Sequence, residues 1–303
     1  MNRITAEVLC GFFAFAAAIV SGYACWEYLR PEKLRARFSE DSLNYRRWLA
    51  LSSTLPILLG YSGGFIALLI LSGEILPGDR FYPISDAIRI ALVPLVAGLA
   101  FITVDFILPP GLAPVRNTFT RQRVGSSAWR LPAILVIVLA VALGGAASGI
   151  QFPLVSVGRE QVVELGQYSV AASIVWLVLA TLIVKLLDGL DGAASMLLLL
   201  CAGVVYYTTA STLEYFLNAF SVILMGLVIG SLRFHLYPAR MPLRGGGTLF
   251  IGYLFAVLTV LARQKSVTAG LVVIPLLLFA LVLGGAMLGF LERTLTLRKD
   301  RSE

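Results

Sequence analysis

Long runs without a charged residue dominate this chain of 303 residues. A helix needs about 20 apolar residues to cross the hydrocarbon core of a bilayer, and eight runs reach or approach that length. A ninth, shorter run is interrupted after Val104 by Asp105. The chain is therefore expected to be an all-α integral membrane protein, a polytopic bundle of about nine transmembrane helices. The predicted spans are Val8–Trp26, Trp48–Ser72, Ile90–Val104, Leu131–Gly158, Gly166–Val184, Ala193–Leu213, Tyr215–Leu232, Gly245–Ala262 and Ser266–Leu291.

The composition excludes an ordinary soluble domain, because 58% of the residues are hydrophobic, only 14% are charged and the mean hydropathy is +0.88. The first span is too long for a cleavable signal peptide, and no small-residue cleavage site follows it. No long linker separates the spans, so we expect residues 1–303 to form one polytopic domain. The three cysteines lie inside apolar runs, where inert, buried thiols are usual.

Lysines and arginines predict the orientation, because cytoplasmic loops carry an excess of them. With the N-terminus outside, 18 of the 24 fall in inner loops or at inner helix ends. We therefore expect an N-terminus outside and a C-terminus in the cytoplasm. The net charge of +7 then reflects topology, and we expect no nucleic-acid partner.

Several polar residues lie at the ends of apolar runs, where exposure to water does not readily account for them. On this topology they lie at the cytoplasmic face. Asp105 lies near the inner end of the third predicted helix, and the segment Asp188–Gly192 joins the fifth helix to the sixth. Carboxylates at such a depth are costly unless they are paired or functional. A basic loop from Arg233 to Thr248 follows the seventh helix. These residues predict a site for an anionic or metal-bound ligand at the membrane surface.

Three segments carry a resemblance to a known family. Asp188 to Ala194 resembles the Asp-Gly-x-Asp-Gly-Leu-Ala signature of the polyprenyl-phosphate sugar-1-phosphate transferases, the glycosyltransferase family 4 type that includes phospho-N-acetylmuramoyl-pentapeptide transferase. Phe234 to Gly252 runs without a gap alongside the family's Phe-Asn-x-x-Pro-Ala-Lys-x-Phe-x-Gly-Asp-x-Gly-Ser-Leu-x-x-Gly. Gly60–Gly64 resembles its Gly-Gly element. The chain is identified as a divergent and C-terminally short member of this family.

The resemblance implies a reaction and its ligands. Family members join a UDP-sugar to a polyprenyl phosphate, with Mg²⁺ on the diphosphate, in cell-envelope glycan synthesis at the inner (cytoplasmic) membrane. It implies Asp105, Asp188 and Asp191 as catalytic residues, with Asp188 and Asp191 also as metal ligands. The implied substrate-binding residues are Lys185, His235, Arg240, Arg244, Gly247 and Thr248. Further expected partners are membrane lipids and an envelope-biosynthesis protein.

The sequence departs from the family where the metal is held. Val104 stands for the first aspartate of an Asp-Asp pair, and Gly245 stands for the metal-binding aspartate after the seventh helix. Lys185 and Arg244 introduce cations where the family has Asn and Gly. We therefore predict a degraded Mg²⁺ site in which these cations take over the electrostatic role of the metal. Catalysis is then weakened, altered or lost, and the cofactor is Mg²⁺ or none.

Three functional interpretations stay open. The protein is a divergent transferase, a non-catalytic relative that binds a lipid phosphate or regulates a partner, or a transporter that uses Asp188 and Asp191 for coupling. Simpler roles compete for single residues: Asp188 and Asp191 in an N-capping turn, Asp105 as a helix-end carboxylate, His235 as a loop histidine. The basic residues could act only as topology signals. The run Gly144–Gly149 is expected to allow close helix packing.

Overall fold

Eight α-helices and a β-hairpin make up the described part of the chain in this computed structural model. The described residues are 3–29, 33–34, 37–38, 43–77, 79, 82–107, 130–151, 154–157, 161–164, 166–186, 192–210, 214–235, 241, 243 and 245–262. The elements are α1 (Arg3–Leu29), α2 (Leu43–Ile75), α3 (Ile84–Ile107), α4 (Arg130–Ala147), β1 (Leu154–Val157), β2 (Gln161–Glu164), α5 (Ser169–Leu186), α6 (Ala193–Thr209), α7 (Tyr215–His235) and α8 (Gly246–Leu261).

Within the described residues, five helices are long and apolar enough to cross a membrane: α1, α2, α3, α5 and α7. The apolar stretches of α4, α6 and α8 are shorter, between 10 and 17 residues. The coarse prediction of a helical, multi-pass membrane protein is confirmed. The number of nine spans, the sides of the termini and the single domain stay predictions, and the ninth predicted span, Ser266–Leu291, lies outside the described residues.

The helix α8 is the centre of the bundle. All 16 of its residues are buried, and it packs against α2, α3, α5, α6 and α7. A helix that is apolar on every side is buried on every side only in the middle of a bundle. Its first residue, Gly246, therefore lies among residues of the surrounding helices, and this position defines the site described below.

Small residues bring α1 and α7 together with their backbones close. A Cβ built at Gly230 would lie 2.7 Å from the carbonyl oxygen of Phe15, and one at Gly226 would overlap the backbone of Gly11. Gly226 and Gly230 are four residues apart, which is the small-xxx-small spacing of closely packed membrane helices.

The glycine element of α2 has the same packing role. A Cβ at Gly63 would lie 2.6 Å from the Cβ of Ala17, and one at Gly64 would lie 3.0 Å from the Cβ of Ala14. The segment Gly60–Gly64, which resembles a family motif, thus lies against α1 in the bundle.

The predicted fourth span, Leu131–Gly158, is wrong at its C-terminal end. α4 stops before Gly149, which has a φ of +98°. The N–H of Gly149 donates to the carbonyl of Ala146 (3.2 Å), and that of Ile150 donates to the carbonyl of Gly145 (3.1 Å). These two bonds are the Schellman motif that ends a helix at a left-handed glycine.

The chain then forms the hairpin β1–β2 instead of more helix. The strands are antiparallel, with Leu154 opposite Glu164 and Val157 opposite Gln161. The prediction of close packing by the run Gly144–Gly149 is confirmed at Gly145, where a Cβ would lie 2.5 Å from the Tyr253 hydroxyl oxygen of α8.

Replacing Gly226 by leucine is expected to destabilise the protein, because the new side chain must displace the α1 backbone at Gly11. Overpacking of this kind costs about 1–3 kcal/mol, which should lower the thermal unfolding midpoint in detergent. Gly203→Leu on α6 is the matched control, since no described atom lies within 4 Å of a Cβ at that position. Equal midpoints for the two variants would contradict the α1–α7 packing.

Candidate functional site

Residues of four helices meet where α8 begins. Asp105 in the last turn of α3, Thr54 in α2 and Lys185 in the last turn of α5 are joined by hydrogen bonds to one another or to Gly245 and Gly246. Asp105 and Thr54 are fully buried, and Lys185 is half-buried. The structure thus brings together three of the positions that the sequence singled out, at 105, 185 and 245.

Both carboxylate oxygens of Asp105 accept hydrogen bonds from the protein. The Thr54 hydroxyl donates to Oδ2 at 2.8 Å, and the backbone N–H of Gly246 donates to Oδ1 at 2.6 Å. The first N–H groups of a helix have no acceptor within the helix, and the N-cap residue of α8, Gly245, has no side chain to supply one. Asp105 supplies it from another helix, and its negative charge faces the positive end of the α8 dipole.

A single peptide group links this carboxylate to a cation. The N–H of Gly246 and the carbonyl of Gly245 belong to the same peptide unit, and Lys185 Nζ donates to that carbonyl oxygen at 3.1 Å. The peptide dipole therefore directs its positive end toward Asp105 and its negative end toward Lys185. Each charge is stabilised by the peptide group that lies between them.

The two glycines permit this approach because they lack a Cβ. Gly245 has a φ of +64°, a conformation that is costly for other residues. A Cβ at Gly245 would overlap Oδ1 of Asp105, and a Cβ at Gly246 would lie 2.8 Å from Oδ2. In this arrangement an aspartate, which the resembled family has at position 245, does not fit unless Asp105 moves.

The predicted substrate-binding residues Gly247 and Thr248 lie in the first turn of α8. A Cβ at Gly247 would lie 3.2 Å from the Thr54 hydroxyl oxygen. Thr248 is fully buried, and its hydroxyl donates to the carbonyl of Leu243 at 3.4 Å. Gly247 therefore lies beside Thr54, and Thr248 holds the chain segment that leads into α8.

His235, another predicted substrate-binding residue, ends α7 and is fully buried. Its Nδ1 lies 2.8 Å from the carbonyl oxygen of Met241, and the Met241 N–H donates to the carbonyl of Phe234 at 3.0 Å. Phe234 and Met241 pack with Cys25 of α1. The observed contacts of His235 hold the start of the connection between α7 and α8.

Asp188, Asp191, Arg240 and Arg244 lie outside the described residues, so their roles stay predictions. The simpler interpretation of either aspartate as the N-cap of α6 is wrong. Gly192, with a φ of +79°, is the N-cap residue, and its carbonyl accepts the first helical hydrogen bond from Met196 N–H at 2.9 Å.

Sequence reasoning missed two residues of this region. Thr54 follows two serines in an otherwise apolar span, and this polar run was the available signal. Arg47 lies two turns earlier on α2, with its guanidinium 4.9 Å from the ring centroid of Phe106. Its Nε is buried and has no hydrogen-bond partner among the described residues. Arg47 therefore adds a second cation to this end of the bundle, in contact with Phe106, the residue that follows Asp105.

The described residues do not fit a bound Mg²⁺. No group of three or more His, Cys, Asp or Glu side chains that could hold a metal ion occurs among them. Mg²⁺ requires near-octahedral coordination by oxygen ligands, whereas Asp105 is a single carboxylate whose two oxygens already accept hydrogen bonds. Val104, in place of the family's first aspartate, is buried in the hydrophobic core.

Comparison with known proteins classifies the larger part of this site. Residues 123–263 match the family model described as glycosyl transferase family 4. This segment is similar to glycosyl transferase family 4. It contains α4 to α8, and with them Lys185 and the glycines at 245–247, while Thr54 and Asp105 precede it. The predicted family resemblance is confirmed.

Curated relatives match part of the chain. A probable undecaprenyl-phosphate N-acetylglucosaminyl 1-phosphate transferase of Bacillus subtilis is 27% identical over 132 residues, which are 44% of this chain and 37% of the relative. The phospho-N-acetylmuramoyl-pentapeptide-transferase of Clostridium acetobutylicum is 30% identical, over 38% of this chain and 32% of the relative. That of Acetivibrio thermocellus is 31% identical, over 36% and 34%. The chain thus spans roughly a third of the length of these relatives.

Substitutions at Gly245 and Asp105 are expected to be strongly coupled. Gly245→Ala should destabilise the protein by about 2–4 kcal/mol, through its positive φ and the overlap with the carboxylate. Asp105→Ala should cost about 1–3 kcal/mol, because the buried Gly246 N–H loses its acceptor. The double variant should be less destabilised than the sum by about 1–3 kcal/mol, since the overlap is relieved. Free energies of unfolding in detergent measure all three.

Asp86→Ala is the matched control for this cycle. Asp86 lies at the opposite end of α3, and its side chain is 44% exposed, so the substitution should change stability by less than about 0.5 kcal/mol. The loss of unfolding free energy in a double variant with Gly245→Ala should equal the sum of the two single losses. Strict additivity of the Asp105 and Gly245 substitutions would show that the two positions do not touch.

Proposed function

We propose that this protein is a divergent member of the UDP-sugar:polyprenyl-phosphate sugar-1-phosphate transferases, with its metal-dependent catalysis weakened, altered or lost. The observation that carries the proposal is the peptide group of Gly245 and Gly246, held between Asp105 and Lys185. Position 245 bears the metal-binding aspartate in the resembled family. Here the same position offers a backbone carbonyl to an ammonium group.

The proposed substrates rest on the resemblance and on the names of the relatives. Those names refer to undecaprenyl phosphate, N-acetylglucosaminyl 1-phosphate and phospho-N-acetylmuramoyl-pentapeptide. We extend to this chain a polyprenyl phosphate as lipid and a UDP-sugar as second ligand, with envelope glycan synthesis at the inner (cytoplasmic) membrane as the setting. Asp188 and Asp191 would be the remaining acidic residues of the site, and Arg240 and Arg244 its further cations.

The described residues supply positive charge for a phosphate at this end of the bundle. The Lys185 ammonium contacts the carbonyl of Gly245. The Arg47 guanidinium lies over the ring of Phe106, the residue that follows Asp105. Guanidinium groups bind phosphate oxygens through parallel N–H donors. The two cations support binding of an anionic lipid headgroup or a diphosphate without a metal.

The same arrangement weakens the chemistry of transfer. When bound, Mg²⁺ neutralises the charge that develops on the transferring phosphate and orients the diphosphate. Lys185 supplies charge but not a fixed coordination geometry. Asp105 would have to release Thr54 and the Gly246 N–H before its oxygens could bind a metal or accept a proton, and each buried hydrogen bond lost costs about 1–3 kcal/mol.

A non-catalytic protein that binds a lipid phosphate is the second candidate. It is favoured by the hydrogen bonds that occupy both oxygens of Asp105. In that role the site would retain the lipid and regulate a protein partner of envelope biosynthesis. The first candidate predicts slow transfer of the sugar phosphate, and the second predicts no transfer.

Binding and transfer assays on the purified full chain test the proposal. In nanodiscs with EDTA, the wild-type protein should bind undecaprenyl phosphate, because protein cations hold the phosphate. With radiolabelled UDP-N-acetylglucosamine and Mg²⁺, formation of lipid-linked product should be at least about 100-fold slower than for the Bacillus subtilis relative, which corresponds to about 2.7 kcal/mol of activation free energy.

Lys185→Gln should weaken lipid-phosphate binding about tenfold, a difference of about 1.4 kcal/mol. Lys33→Gln is the control, because Lys33 is an exposed lysine paired with Glu27 on the connection after α1, and it should leave binding unchanged. Mg²⁺-dependent transfer at the rate of the relative, or lipid binding that requires Mg²⁺, would refute the proposal.

A further inference from the structure

A groove runs along the side of the bundle between α3 and α4. Its volume is about 530 Å³. Its lining is mostly apolar, and Leu92, Val96 and Val136 are exposed, so the groove opens sideways from the protein. Its main lining residues are Leu92, Val96 and Ala100 on α3 and Val136, Ala140 and Gly144 on α4.

The groove is long enough for a single hydrocarbon chain. Its lining on α3 extends from Arg89 to Thr103, which is about 21 Å at a rise of 1.5 Å per residue. One leaflet supplies about 15 Å of the hydrocarbon core, half of its total thickness. An acyl chain that enters from one membrane surface can therefore lie between the two helices.

The cationic side chain of Arg89 lies at one end of the groove. The side chain of Arg89 is 57% exposed, and its guanidinium lies 3.3 Å from the carboxylate of Asp86. It also reaches the turn after α4, because a Cβ at Gly149 would lie 3.4 Å from Nη2 of Arg89. An exposed ion pair of this kind contributes little free energy. Arg89 can therefore exchange it for a phosphate, which a guanidinium binds through two parallel hydrogen bonds.

This end of the groove is remote from the candidate site. Arg89 and Asp105 lie at opposite ends of α3, so they face opposite membrane surfaces. The phosphate of the lipid in the proposed function would lie near Asp105 and Lys185. A phosphate on Arg89 belongs to a different lipid.

We propose that the groove between α3 and α4 binds an anionic phospholipid of the surrounding bilayer, with one acyl chain between the helices and the headgroup phosphate on Arg89. The complementary charge selects the headgroup, and the apolar lining accepts the chain. Gly144 keeps the groove open, since a Cβ at this position would meet no described atom within 4 Å. A larger side chain there would occupy the place of the lipid without displacing the protein.

Native mass spectrometry of the full chain in detergent tests this proposal, with phosphatidylglycerol and phosphatidylcholine as probes. The wild-type protein should retain one phosphatidylglycerol molecule in preference to phosphatidylcholine. Arg89→Gln should lose this preference but still bind either lipid. Gly144→Leu, which fills the groove, should retain about tenfold less of both.

Gly203→Leu is the matched control, because it places the same side chain in open space on α6. It should retain phosphatidylglycerol like the wild type, and circular dichroism should show both leucine variants to be folded. Equal lipid retention in Gly144→Leu and Gly203→Leu, or no retained lipid in the wild type, would overturn the proposal. Undecaprenyl phosphate binding that Gly144→Leu abolishes, with phosphatidylglycerol unaffected, would overturn it as well.

Discussion

The peptide group between Gly245 and Gly246 holds the site together, because opposite charges bind its two ends. Asp105 accepts the N–H, and Lys185 donates to the carbonyl. A buried carboxylate is costly without a compensating partner, and here the compensation comes from a helix N-terminus, a hydroxyl of Thr54 and the dipole of one peptide. The ammonium completes an arrangement in which no metal is required for charge balance among the described residues.

The position of α8 makes this interaction important for the whole bundle. α8 is buried along its entire length and packs against five other helices, so the groups that fix its N-terminus also fix the core. The absence of a side chain at position 245 has two consequences at once. It removes the carboxylate expected from the resembled family, and it opens the space in which Asp105 reaches α8. The glycine at position 245 thus both lacks the carboxylate of the resembled family and permits the contact between Asp105 and α8.

Much of the fold could be predicted from the apolar runs, since their lengths are set by the thickness of a bilayer. The end of α4 could also have been predicted, because Gly149 follows a helical run as a left-handed cap does, but hydropathy alone extended the helix into a strand. The site could be predicted only in part from the sequence. Asp105 was found as a carboxylate at the end of an apolar run, and Lys185 and Gly245 were found through the family resemblance. Thr54 was not found, because its hydrogen bond to Asp105 joins residues 51 apart. Asp105 and Lys185 share the peptide group of Gly245 and Gly246 because of tertiary packing. No local sequence pattern predicts this contact.

The central claim is that cations of the protein, Lys185 foremost, have replaced the metal that the resembled family holds at this site. Calorimetric titration of Mg²⁺ into the purified full chain tests it most directly, with Asp188→Asn as the matched variant that removes a family metal ligand. We predict the same weak, non-saturating signal for both proteins. Tight, saturable binding of Mg²⁺ to the wild type that Asp188→Asn abolishes would contradict the account.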